Sequence, residues 1–539
     1  MEKITFKHLV VIVLLGLAFA LGFYIDGREA TVNNLSSDQW NILPVCIKLD
    51  HPELYKGDLF ANDPNDIDYY TPFFVSGVRF CTKFSNDNYI EGLNKLNFLI
   101  NFFYTVTWAL FFYFLGMNLP VALIMTILVR GILWLPGFEL WGAGALWTAL
   151  PRTAFLALLP LPLLLMLPAV KNKYYHFAGA LLLGIISNFH PISGLGLCLS
   201  LWLTYCIHNC ILSFHRTRNT LFQSFIVAAL MIIGLSPYLY TYFIRVLING
   251  PYDHFLFNEM LSLRIGEQFQ QPLLAISKFG QVKWILFIMM PILAIVIFRR
   301  KLPDEMRKSY VYYLILLIVV MSSSVLTVPT EQLIRKTGVD LHMSFQLIRN
   351  VKFVMVPVFV FYTLIIIFSI EKLRHHTQIA LSWGILSVLL VLLVIARYDP
   401  LKSFPLVGDD FLRSTLPNAY SIRKEIAYND QDLDTMFKWI NTNTGDYASF
   451  IGPSQLRTAC RRSVIFDFKG ASMLIEGNPG KYIEWAKRDL LLTKCKTPEC
   501  EFDLYHEWGA DYWLTDKPMI SDRISPLIIT GRWHLYSLK

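Results

Sequence analysis

Six residues pair a reactive side chain with a setting in which such groups are costly: Asp38, Asp58, Glu139, His190, Arg349 and Lys352. Asp38 and Asp58 lie in "SSDQWNILPVCIKLDHPELYKGDLFANDPNDIDYY", which follows the first apolar run. A carboxylate there can act as a general base or hold a divalent cation near a phosphate. Asp63, Asp66 and Asp68 sit in Asn-Asp-Pro turn chemistry and read as a solvated loop. Glu139 is the one acid of the Gly- and Trp-rich stretch "LPGFELWGAGALWTALPRTAF". It reads either as part of an interfacial helix with aromatic anchors or as a second acid facing the same cavity as Asp38. His190 occupies a His-Pro turn, where an imidazole either caps the turn or meets a phosphate or leaving group. Arg349 and Lys352 enter an apolar run in "DLHMSFQLIRNVKFVMVPVF". Snorkelling to a membrane edge accounts for them, but a guanidinium there can also grip a phosphate with two parallel N–H donors.

The elements that must position these groups are membrane spans. Of the 539 residues, 54% are hydrophobic and 16% charged, against about 25% charge in a soluble domain. This composition excludes a disordered chain, a coiled coil and an ordinary cytosolic enzyme. The net charge of +8 reads as a topology signal rather than as nucleic-acid binding. A helix needs about 20 apolar residues to cross the hydrocarbon. Apolar runs begin near Leu9, Leu96, Leu119, Thr153, Phe177, Gly194, Leu221, Trp284, Tyr310, Val351 and Ile379, so the expectation is a polytopic α-helical protein of 11 spans. The first run, preceded by Lys3 and Lys7, reads as a retained span with a cytoplasmic N-terminus. Lys171 with Lys173, Arg216 with Arg218, Arg299 to Lys301, and Lys372 with Arg374 form compact basic loops. Alternation places all of them inside if Phe177 to Ile211 crosses twice, turning at "SNFHPISGLG".

The odd span count leaves the C-terminus outside. The chain divides into a membrane domain, 1–397, with a first outer loop at 26–92, and an extracytoplasmic α/β domain, 398–539. In the latter, "DLDTMFKWINTNTGDYASFIGP" reads as helix, turn and strand, "RRSVIFDFKG" as a strand, and "KYIEWAKRDLL" as a helix. "ADYWLTD" and "RWHLYSL" read as closing strands. Cys46–Cys81 and Cys495–Cys500 bridges suit an oxidising compartment; free thiols suit the sequence equally well. Cys206, His208 and Cys210 lack a second ligand pair and do not read as a zinc site.

The chain carries no Walker A sequence, no GxGxxG opening a helix after a strand, no HExxH and no GxSxG. Nor does it show the paired broken helices of a two-halved transporter. The arrangement resembles the GT-C superfamily of integral-membrane glycosyltransferases. Locally, "SSDQW…LP…LDHPELYKGDLF", "NFHPISGLG", "FQLIRNVKF" and "FDFKG…EWAKR…GADYWL" resemble uncharacterised bacterial GT-C-like proteins. The resemblance implies an inverting transferase that takes a sugar from a polyprenyl-phosphate donor. It would pass the sugar to a glycan, lipid or protein acceptor at the outer face of the membrane. Asp38 would then be the general base, Asp58 or Glu139 a second acid holding the acceptor or a divalent cation (Mg or Mn), and Arg349 with Lys352 and His190 the donor-phosphate site. Gln39 stands where several GT-C families carry a second acid. The expected location is the bacterial inner membrane. The alternative is a non-enzymatic transporter or assembly subunit for lipid-linked glycans.

Overall fold

The computed structural model describes residues 4–35, 38–132, 146–168, 170, 172–212, 217–248, 251–265, 282–298, 304–337, 347–370, 375–395, 409–421, 430–519 and 524–539. Glu139 lies outside these residues, as do Lys171, Arg216, Arg299, Arg300, Lys301, Lys372 and Arg374 of the basic loops. The chain forms two compact units. The membrane unit comprises Met1–Arg28, Asn94–Pro237 and Glu267–Glu425; the α/β unit comprises Glu29–Leu93, Tyr238–Gly266 and Ile426–Lys539. The first outer loop and the stretch after Pro237 thus join the terminal domain in one unit, a partition that composition along the chain does not reveal.

Each of the eleven apolar runs coincides with a helix in the described residues. Seven are long and apolar enough to cross a membrane: Phe6–Gly27, Tyr89–Phe114, Pro191–Asn209, Thr220–Ile244, Arg307–Ile334, Ile348–Ser369 and Thr377–Ile395. Leu119–Gly131, Pro151–Leu165 and Ile285–Ile297 are shorter apolar helices. The protein is therefore a multi-pass membrane protein.

Lipid gives helices no hydrophobic reason to associate, so small residues and polar contacts hold the membrane unit together. Helices Lys173–Ser187 and Thr217–Ile248 cross at two glycines. A Cβ at Gly184 would lie 2.2 Å from the Met231 carbonyl, and one at Gly234 2.4 Å from that of Leu181. Asn188 completes the crossing by donating to the Gly234 carbonyl at 2.9 Å. Replacing Gly184 with Leu is expected to force this crossing apart, at a cost of about 1–3 kcal/mol or more. The thermal transition of the purified protein would then fall, with a parallel loss of monodisperse material on size exclusion.

Arg130, with no exposed surface, is a second polar anchor in the same unit. It donates to Asn101 Oδ1 (2.5 Å), Thr105 Oγ1 (3.0 Å) and the Ser414 carbonyl (3.2 Å). Its guanidinium also lies 4.5–5.5 Å from the ring centres of Phe19, Phe23 and Tyr104. The first span is clamped at its far end as well. Asp26 accepts from the backbone N–H groups of Asn418 and Ala419, and the Tyr420 hydroxyl donates to the Ala18 carbonyl at 2.7 Å.

In the α/β unit a five-stranded sheet has the order β2-β1-β3-β5-β4. The strands are β1 (Ser449–Ile451), β2 (Ser463–Phe466), β3 (Tyr512–Thr515), β4 (Pro526–Thr530) and β5 (Trp533–Ser537). β1 pairs in parallel with β2 and β3, while β5 runs antiparallel to β3 and β4. Strands β1 and β2 are buried throughout, as parallel strands usually are. Helix Gln431–Asn443 packs Leu433, Met436, Phe437 and Ile440 into a core with Phe450, Val464, Leu514 and Leu535. Every expected strand is present. β4, which begins with a proline, is the strand that pattern reading misses; it alternates half-buried and exposed residues at the sheet edge.

Candidate functional site

Residues Ile348–Val354 form a seven-residue 3-10 helix leading into the apolar helix Met355–Ile370. Side chains three apart eclipse in such a helix, and runs this long are uncommon and often mark a functional segment. The sequence "IRNVKFV" follows that period. Ile348, Val351 and Val354 form one stripe, each no more than 3% exposed, while Arg349 and Lys352 form the next. Lys352 is itself buried, and its ammonium lies 5.4 Å from the Phe353 ring centre. One short element therefore carries two cations on one face and anchors itself by the other.

Asn350 fixes where this element sits within the membrane unit. Its Nδ2 donates to the Ile192 carbonyl at 3.3 Å, in the first turn of helix Pro191–Leu212. A Cβ on Gly196 would come within 1.9 Å of the same Nδ2, so only glycine permits the approach. His190 stands immediately before that helix, and its Nδ1 accepts from the Ser193 N–H at 3.2 Å. An imidazole whose Nδ1 accepts carries its proton on Nε2 when neutral, which makes Nε2 a donor. His190 thus caps the turn, as one of the two sequence readings has it. The structure brings the two expectations together: the His190 turn and the Arg349–Lys352 stripe lie on elements in direct contact. The start of a long helix adds a positive dipole end. Together these groups are suited to hold a phosphate.

This dependence on Gly196 gives a test that leaves every charge in place. Gly196→Val should displace the 3-10 helix and weaken anion binding at this face by about tenfold, the effect of roughly 1.4 kcal/mol. Binding of a short-chain polyprenyl phosphate, read by native mass spectrometry, would report it.

The remaining acids belong to the α/β unit. Asp38 occupies the N-cap position of helix Gln39–Asp50 but makes no side-chain cap bond. Its carboxylate pairs instead with Lys469 at 3.2 Å, and Asn41 Nδ2 donates to the Lys469 carbonyl at 3.0 Å. Asp58 is fully buried, and the structure gives it a different part from the one its sequence position suggests. One oxygen accepts from the Phe60 and Ala61 N–H groups (both 2.9 Å) and from Arg457 Nη2 (3.0 Å). The other accepts from Arg457 Nε (2.5 Å) and the Val464 N–H (2.8 Å). A carboxylate has about four lone-pair directions. Five donors therefore saturate Asp58, which serves to fasten the loop to β2 and Arg457. Arg457 also pairs with Asp467, which caps helix Phe468–Gly477 through the Gly470 N–H. That helix carries Lys469, so Asp58 acts indirectly on the placement of Asp38. Asp66 departs from the solvated-loop reading: it is 3% exposed and pairs with Lys481 at 2.5 Å.

Lys469, Arg457 and Asp467 are the residues that reading the sequence missed. Asp467 opening "DFKGAS" is a legible N-cap signal, but the partner of a carboxylate some 400 positions away has none. Among the described residues, no three His, Cys, Asp or Glu side chains are placed to share a metal ion. Cys495 and Cys500 form a disulfide with a Cα–Cα distance of 5.5 Å, whereas Cys46 and Cys81 are buried free thiols.

The fold and the membrane helices define a class: the chain is a multi-pass α-helical membrane protein with a small α/β unit. It aligns with the crystal structure of ArnT from Cupriavidus metallidurans bound to undecaprenyl phosphate, with a TM-score of 0.50 and 10% sequence identity, over 98% of each chain. At that identity the likeness is one of fold. No family model matches the sequence, and no curated protein matches it.

Proposed function

We propose that the protein is a membrane glycosyltransferase that takes a sugar from a polyprenyl-phosphate donor. The observation that carries this reading is the Arg349–Lys352 stripe beside the His190 turn, in a chain whose fold matches a protein crystallised with undecaprenyl phosphate. A lipid phosphate is the leaving group of such a transfer, and its developing charge needs fixed positive charge and N–H donors. In this reading the acceptor hydroxyl oxygen bonds to the anomeric carbon as the bond from that carbon to the phosphate oxygen breaks. The polyprenyl phosphate leaves with the electron pair, held by Arg349, Lys352 and His190. The hydroxyl proton passes to a general base, the role that the sequence resemblance gives to Asp38. Asp58 supports the arrangement through Arg457. No step is routed through a metal ion.

The Cys495–Cys500 disulfide supports an oxidising surrounding for the α/β unit, and hence an outer face for the reaction. A bacterial inner membrane with the N-terminus inside is part of the proposal. The test uses membranes containing the full-length protein and a set of radiolabelled polyprenyl-phosphate sugars. The expected result is protein-dependent release of free polyprenyl phosphate, lost in Arg349→Ala and in Asp38→Asn. Release that is unchanged in both variants would refute the assignment of these residues. Tight lipid binding without sugar loss from any donor would favour the non-enzymatic carrier or assembly role.

A further inference from the structure

A hydroxyl inside a membrane helix ordinarily bonds the carbonyl one turn back, which spares it an unpaired polar atom in lipid. Ser187, Ser200, Thr204 and Thr327 do this, donating to the Leu183, Gly196, Ser200 and Ser323 carbonyls at 2.6–2.8 Å. Ser193 does not. It stands in the first turn of helix Pro191–Leu212, 1% exposed, and among the described residues its Oγ has no hydrogen-bond partner. Asn350, 3% exposed, is in a similar state: its Nδ2 reaches the Ile192 carbonyl, while its Oδ1 is buried without a partner. Leaving such atoms unpaired is unfavourable. Both belong to the contact between the His190 turn and the element that carries Arg349 and Lys352.

Register supplies a third wall. Helix Asp304–Arg335 packs against both helix Pro191–Leu212 and the 3-10 helix Ile348–Val354. The Ser200 and Ser323 hydroxyls meet at 3.2 Å, and the ring centres of His208 and Tyr312 lie 5.2 Å apart. Later residues of one helix thus meet earlier residues of the other, so the two run antiparallel. Glu331 follows Ser323 by eight residues, and Ile192 precedes Ser200 by eight. At about 1.5 Å per residue, both come to the same level, roughly 12 Å from the serine pair. That is the level at which Asn350 bonds the Ile192 carbonyl. Glu331 is buried there, a carboxylate at the height of the cationic stripe.

We infer that Ser193, Asn350 and Glu331 form the subsite for the donor's sugar. Their chemistry suits a hydroxyl-rich ring without an acidic group. Asn350 Oδ1 and the Glu331 carboxylate are acceptors, and the Ser193 hydroxyl both donates and accepts. One sugar hydroxyl donates to Asn350 Oδ1 while accepting from Ser193, and a second donates to Glu331. A carboxylate at this place repels a uronate, which sets the class of sugar. The subsite rests on the donor-phosphate reading, because it places the ring next to the group that Arg349 and Lys352 hold.

Native mass spectrometry of the full-length protein separates the subsite from the phosphate site. The probes are undecaprenyl phosphate and undecaprenyl phosphate bearing glucose, galactose, mannose or glucuronate. Ser193→Ala should weaken the tightest neutral-sugar lipid by about 3–10-fold and Glu331→Gln by about 10–100-fold, while undecaprenyl phosphate binds no more weakly to either variant. The glucuronate lipid should bind wild type worst and improve in Glu331→Gln; a failure to improve overturns the part given to Glu331. Equal changes in the bare and sugar-bearing lipids, or no change in either, overturn the subsite alone. Wild type that binds neither kind removes the phosphate reading and the subsite with it. Ser193→Ala deletes a single oxygen and carries the test if Glu331→Gln does not fold. Asn350 is left intact because its amide also holds the 3-10 helix in place.

Discussion

Asp58→Ala is expected to destabilise the α/β unit rather than to remove a reacting group from an equally stable fold. The substitution strips two hydrogen bonds from an Arg457 side chain that is 1% exposed and leaves that charge with Asp467 alone. It also orphans the N–H groups of Phe60, Ala61 and Val464. Breaking a buried pair from one side costs about 3–5 kcal/mol. For a unit of this size that lowers the melting transition by roughly 10 °C. A thermal melt by circular dichroism reads it directly. A normal melt with abolished activity would return Asp58 to the reacting groups.

Arg349→Ala should leave the fold standing and remove the lipid. Arg349 is half-buried, and the apolar stripe Ile348, Val351 and Val354 holds the 3-10 helix without it. A hydrogen bond to a charged group contributes about 1.5–3 kcal/mol, so losing the guanidinium weakens polyprenyl-phosphate binding by roughly 10–100-fold. Lys352→Met keeps the buried stem and removes only the charge, and it should act in the same direction. Arg349→Lys tests geometry against charge: an ammonium keeps the charge but gives up the paired donors, so about tenfold should remain lost. Native mass spectrometry with undecaprenyl phosphate gives these ratios. Equal binding by all three variants would place the lipid elsewhere.

The fold was legible because membrane spans are written in composition and because loop charges constrain their alternation. The α/β strands were equally plain where apolar runs met turn residues, as in "ASFIGP" and "SVIF". The proposed phosphate site was half legible. Arg349 and Lys352 stood out as cations in an apolar run, and the period of three in "IRNVKFV" contains the 3-10 geometry for a reader who looks for it. What ties that element to the His190 turn is the Asn350–Ile192 bond and the bare Gly196, both of which depend on a fold that joins positions about 150 residues apart.

The acids were harder for a physical reason. A carboxylate in sequence looks the same whether it waits for a substrate or saturates an arginine. The partners of Asp38 and Asp58, Lys469 and Arg457, are some 400 residues away.

The central claim is that the cationic face of residues 348–354 holds the phosphate of a polyprenyl lipid. A cryo-electron microscopy map of the full-length protein in nanodiscs with undecaprenyl phosphate tests it most directly. The account predicts phosphate density within hydrogen-bond reach of Arg349 and Lys352, absent from a matched map of Arg349→Ala. Lipid phosphate bound at another face, with Arg349 directed into the bilayer headgroups, would contradict it.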